Sequence, residues 1–152
     1  MAIVTVDTLV EGTRRDDVYA WLSDVSHHEK LLKAGFLEVR AGSAPDTWSL
    51  TIPVPVRPVV VIYRFRAADD AHGGRRVLVE LDGVRTRGEL HFSMRTMKPS
   101  TNTLVTLHAD YQSGRLVGPL IDKFFLEKAM RVGMSQMLEA LARALRAGGG
   151  VA

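Results

Sequence analysis

Apolar and polar residues alternate from Ala2 to Val10, a period of two that predicts a β-strand. Gly12-Thr13 breaks the pattern. Val18, Trp21, Leu22 and Val25 then recur at helical spacing, with Thr13 placed as N-cap and Asp16-Asp17 in the first turn, where the helix dipole favours negative charge. Ser26-His27-His28-Glu29 fits a capping box and predicts a second short helix through Leu31, Leu32 and Lys33. Gly35 is placed to be its C-cap.

From Phe36 the period returns to two. Strands are predicted over 36–41, 47–52, 59–67, 76–81, 86–96 and 104–111. The links between them carry turn residues: Ala44-Pro45-Asp46, an Asp69–Gly74 hairpin loop, Asp82-Gly83, and Pro99-Ser100-Thr101-Asn102. Pro53, Pro55 and Pro58 cannot sit in a central ladder and mark an edge or a connection. The last element is a long helix over about 117–147. Leu126, Met130, Met134, Met137, Leu141 and Leu145 form one continuous apolar stripe along it. Leu120, Ile121, Phe124 and Phe125 widen the apolar arc of its first turns.

This order predicts an α+β domain. Consecutive strands with short links make an antiparallel meander, which needs a cover on one face, and the long helix is the element able to cover it. A sheet curling around one helix leaves space between the two. The chain is therefore read as one domain over 1–147, with 148–152, including Gly148-Gly149-Gly150, as a flexible tail.

At this point the chain resembles the START-like (SRPBCC, birch-pollen-allergen-like) superfamily, in its polyketide cyclase/dehydrase and lipid-transport branch. The resemblance rests on the element order, on Asp17-Val18-Tyr19-Ala20-Trp21-Leu22-Ser23-Asp24 after the first strand, and on Leu104-Val105-Thr106-Leu107-His108-Ala109-Asp110-Tyr111 running into the long helix. It implies a helix-grip fold, with a curved seven-stranded antiparallel sheet wrapped around the C-terminal helix and two short helices after the first strand. Members commonly carry an Ala-Pro pair where this chain has Gly12-Thr13. The superfamily includes lipid and sterol carriers, hydroxylase components, aromatase/cyclases and chaperone cofactors.

Strand parity sharpens the picture independently. One set per strand must face the helix: Leu37 and Val39; Trp48, Leu50 and Ile52; Val59, Val61, Tyr63 and Phe65; Val77, Val79 and Leu81; Leu90, Phe92 and Met94; Val105, Leu107, Ala109 and Tyr111. The opposite set carries Arg64, Arg66, Arg76, Glu80, Asp82, Arg87, Glu89, His91, His108 and Asp110. The polar groups left inside are chiefly the hydroxyls of Tyr63, Tyr111 and Thr86 and the indole N–H of Trp48. The expected ligand-lining residues are Trp48, Leu50, Tyr63, Phe65, Leu90, Phe92, Leu107 and Tyr111 from the strands. The long helix is expected to add Phe124, Met130, Gly133, Met134 and Met137. Gly133, costly in mid-helix, permits either close packing or room for a ligand.

Composition narrows the function classes. The 152 residues suit one core, and 46 % hydrophobic residues indicate a globular chain. With no cysteine, disulfides, thiol catalysis and cysteine-ligated metal are excluded, and a cytoplasmic location is expected. The formal charge of +3 comes from arginines interleaved with acids, which reads as solvated surface and not a nucleic-acid face. No apolar run approaches the length of a membrane helix, so no integral membrane insertion is expected. His27-His28 reads as a capping or surface pair, because adjacent helical residues do not face each other. Glu89, His91, His108 and Asp110 share a face on neighbouring strands, but among arginines, so no metal site and no cofactor is expected. The leading expectation is carriage of an apolar small molecule such as a lipid, polyketide or aromatic. Alternatives are a cyclase/dehydratase-type enzyme using pocket tyrosines and a protein-interaction module with a closed core.

Overall fold

The alternating segments assemble into one seven-stranded antiparallel sheet, β1-β7-β6-β5-β4-β3-β2, in a computed structural model that describes residues 2–56, 58–69, 75–83, 86–98, 101–113 and 120–149. The elements run β1 (Ala2–Val10), α1 (Arg15–Ser23), α2 (Ser26–Gly35), β2 (Glu38–Ala41), β3 (Thr47–Ile52), β4 (Val59–Asp69), β5 (Arg75–Asp82), β6 (Thr86–Met97), β7 (Asn102–Ser113) and α3 (Leu120–Gly149). This is the helix-grip α+β architecture. Strands β2 to β7 pair in sequence order, and β1 returns to pair with β7, Ala2 opposite Tyr111 and Val10 opposite Thr103. The two short helices carry the chain from one sheet edge to the other. Arg66 is the extra residue of a bulge in β4, where the register with β5 shifts between Phe65 and Ala67.

The α3 stripe packs as its period predicts: Leu126, Met130, Met134, Met137, Leu141 and Leu145 are all buried. The helix reaches Gly149, two residues beyond the expected end, and its expected start at 117 lies outside the described residues, as does much of the 69–74 loop. No helix among the described residues is long and apolar enough to cross a membrane.

Three local expectations change. Thr13 does not cap α1: the cap position is Arg14, without a side-chain bond, and Thr13 is buried with its carbonyl accepting Thr103 Oγ1–H at 2.7 Å. The capping box of α2 does not form either. Ser26 gives both its N–H (3.1 Å) and its Oγ–H (2.6 Å) to Asp24 Oδ1, and Glu29 pairs instead with Lys33 at 3.8 Å. Those bonds hold the Asp24 carboxyl below its usual range.

Gly35 is not a left-handed C-cap, since Gly12 (φ 71°) is the one glycine with positive φ among the described residues. Its role is close approach. A Cβ on Gly35 would press on the carbonyl oxygen of Gly133, and a Cβ on Gly133 would lie 2.6 Å from the Phe36 ring and 2.9 Å from the Gly35 oxygen. The two glycines let α2 and α3 cross backbone to backbone, so Gly133 serves helix–helix packing.

Candidate functional site

The concave face is built from one parity of each strand. Trp48, Leu50, Tyr63, Leu90, Phe92, Leu107 and Tyr111 are buried there, opposite Met130, Met134 and Met137 of α3, while Phe65 is half-buried. Two expected members lie elsewhere. Phe124 is 63 % exposed, because two positions along a helix from buried Leu126 is well over a quarter-turn round the axis. Leu37 is 92 % exposed, in a bend before β2, where Phe36 has already turned inward against Gly133.

Charged strand residues gather on the convex face. Arg64 meets Glu80 at 2.7 Å, Arg66 meets the same carboxylate at 3.5 Å, and Arg87 meets Asp82 at 3.4 Å. Arg75, inward by parity, sits at the rim under α1, 3.3 Å from Asp16 and stacked 4.7 Å from the Tyr19 ring centre. His91 and His108 face each other across β6 and β7 with ring centres 4.9 Å apart, flanked by the opposed carboxylates Glu89 and Asp110. Thr5 Oγ1 and His108 Nδ1 are hydrogen-bonded at 2.8 Å. Burial, first, and the neighbouring His108 hold His91 below its usual pKa. Among the described residues no group of three or more His, Cys, Asp or Glu is arranged to hold a metal ion.

The concave face holds one titratable side chain that sequence reasoning placed at the surface. His28 is fully buried. Its Nε2 lies 2.7 Å from the Leu22 carbonyl oxygen, which can only accept, so Nε2 carries the proton. Nδ1 is then the acceptor for Tyr63 Oη–H at 2.7 Å. Phe65 and Phe92 present edges to the imidazole at 5.1 and 5.8 Å. Burial holds His28 below its usual pKa, and so neutral, and pushes the Tyr63 phenol far above its own. The signal was available: His28, Leu31 and Leu32 stand at i, i+3, i+4 on one face of α2. His27 behaves as expected of a surface residue, stacked on Trp21 at 4.1 Å with Nδ1–H donating to the Trp21 carbonyl.

Chemically, this dyad is saturated. Each nitrogen of His28 has its partner, and Tyr63 spends its proton on one of them. The remaining concave phenol, Tyr111, is buried, and its hydroxyl makes no hydrogen bond among the described residues. Burial, first, and then Glu127 push it up to about 12.

No protein-family model matches the chain, and no curated protein matches it in sequence. Solved structures do match in fold. The Zhui aromatase/cyclase of a Streptomyces species is 15 % identical, with a TM-score of 0.67 over 95 % of this chain and 94 % of that one. Norcoclaurine synthase from Thalictrum flavum is 13 % identical, with a TM-score of 0.64 over 95 % and 86 %. A START superfamily protein from Mycobacterium smegmatis is 16 % identical, with a TM-score of 0.57 over 94 % and 98 %. The fold is thus START-like, as the resemblance in the sequence implies.

Proposed function

We propose that this START-like fold binds and carries a hydrophobic small molecule between the concave sheet and α3. The observation that carries the reading is the segregation of side chains. Strand carboxylates and arginines turn to the convex face, while adaptable methionines and aromatics meet on the concave one. General acid–base chemistry needs a titratable group free to reach a substrate. A buried histidine is what an enzyme of the cyclase type would favour, and His28 is one, but the Leu22 carbonyl and Tyr63 occupy both its nitrogens. That engagement supports carriage over catalysis.

Native mass spectrometry of the purified protein tests the reading, with a co-purified apolar molecule as the expected result. Met134→Trp adds a second test at a buried position. In a ligand space the indole fills existing room, abolishes binding of an apolar probe dye and leaves stability near wild type. In a close-packed core it overpacks and costs about 1–3 kcal/mol. Unchanged dye binding with a large fall in the unfolding midpoint would put the interaction-module reading ahead.

A further inference from the structure

Hydroxyls buried among the described residues mostly have partners. Thr47 Oγ1–H donates to the Ala44 carbonyl, Thr103 Oγ1–H to the Thr13 carbonyl, and Tyr63 Oη–H to His28. Two do not. Tyr111 is 1 % exposed and Thr86 is 2 % exposed, yet Tyr111 Oη and Thr86 Oγ1 make no hydrogen bond. A buried hydroxyl left unpaired is costly, and folded proteins seldom tolerate it without a reason.

The two orphans are neighbours. Tyr111 stands opposite Gly88 and Ser113 opposite Thr86, so Thr86 and Tyr111 are diagonal neighbours on the concave face of β6 and β7. Diagonal pairs lie roughly 7–8 Å apart, a span that one small group between the side chains can bridge. Gly88, directly across from Tyr111, lets the two strands close up there: a Cβ on it would lie 2.5 Å from Tyr111 Cα.

We infer that Tyr111 and Thr86 form a polar subsite that donates two hydrogen bonds to a neutral carbonyl oxygen on an otherwise apolar ligand. The inference rests on the carrier reading and narrows its ligand class. Both hydroxyls stay protonated at physiological pH and are free to donate. Glu127 and Arg131 of α3 act on Tyr111 with opposite sign.

The test uses two probes of matched shape, acetylnaphthalene and isopropenylnaphthalene, in which a C=O replaces a C=CH2. Each is titrated by calorimetry into the wild type, Tyr111→Phe, Thr86→Val and the double variant. The wild type is expected to prefer the ketone about tenfold, each single variant about threefold and the double variant not at all, with alkene affinity the same throughout. The ligand-free variants are expected to melt at or above the wild-type temperature, because each loses an unpaired hydroxyl. An equal ketone preference in all four proteins overturns the subsite and leaves the carrier reading standing. Failure of the wild type to bind either probe counts against both. A lower melting temperature in the ligand-free single variants shows that the hydroxyls have partners within the protein, and overturns the subsite by itself.

Discussion

Tyr63→Phe removes one oxygen from the interior and keeps the ring that packs edge-on to Trp48 at 6.0 Å. The oxygen is the donor to His28 Nδ1 at 2.7 Å, and Nδ1 cannot become a donor elsewhere because the ring proton is committed to the Leu22 carbonyl. The variant therefore strands a buried imidazole nitrogen, at a cost of about 1–3 kcal/mol. Relief of the phenol's own desolvation brings the expected net loss to about 1–2 kcal/mol. With a urea slope of about 1–3 kcal/mol per molar, that is a drop of roughly 0.3 to 2 molar in the unfolding midpoint, with the slope unchanged. The same dyad makes a pH prediction. Burial lowers the folded-state pKa of His28 below the ordinary histidine value of about 6.5, so as pH falls the unfolded chain takes up the proton first. The contribution is full above the unfolded value and is lost as pH drops below it, at up to about 1.4 kcal/mol per pH unit. His91, lowered in the same direction, adds to the slope. Urea unfolding at pH 7.5 and 5.5 should show the wild type weaker at the lower pH, and His28→Leu should flatten that dependence while lowering stability at both. A Tyr63→Phe midpoint equal to wild type, or an unaltered pH slope in His28→Leu, would sink the assignment of a buried neutral imidazole.

Gly35→Ala should cost about 1–3 kcal/mol in a thermal melt, because its Cβ meets the Gly133 backbone oxygen and lies 2.9 Å from Met137 Cγ. Gly133→Ala presses on the Phe36 side chain and regains about 1 kcal/mol of helix propensity, so it should be the milder change, and the reverse order would refute the crossing. Glu80→Gln breaks pairs with Arg64 and Arg66 that are partly exposed, and should shift stability by less than about 1 kcal/mol, with the shift shrinking in high salt. Elemental analysis should find no stoichiometric zinc. Zinc present and then lost on His108→Ala would show that the convex histidine pair is a metal site.

The sheet and the long helix were legible along the chain because their periods follow from backbone geometry. A strand alternates sides every residue, so Trp48, Leu50 and Ile52 could be assigned one face without knowing what lay opposite. The Leu126-to-Leu145 stripe follows in the same way from 3.6 residues per turn. Local reasoning also carried further than it was pressed, since the spacing of His28 to Leu31 and Leu32 already turned the imidazole inward. What the periods could not supply was the opposite partner. His28 meets Tyr63 across 35 positions, and Thr103 meets Thr13 across 90. Gly35 looked like a helix terminator, and Gly133 could be read as close packing or as room for a ligand, because neither reading could know that α2 and α3 cross at those two residues. The same holds for Phe124, apolar yet exposed, and for Thr86 and Tyr111, polar yet hidden and unpaired. Side-chain direction is a property of the local backbone and can be read along the chain. Satisfaction, close approach and exposure depend on which surfaces meet, and only the folded packing decides that.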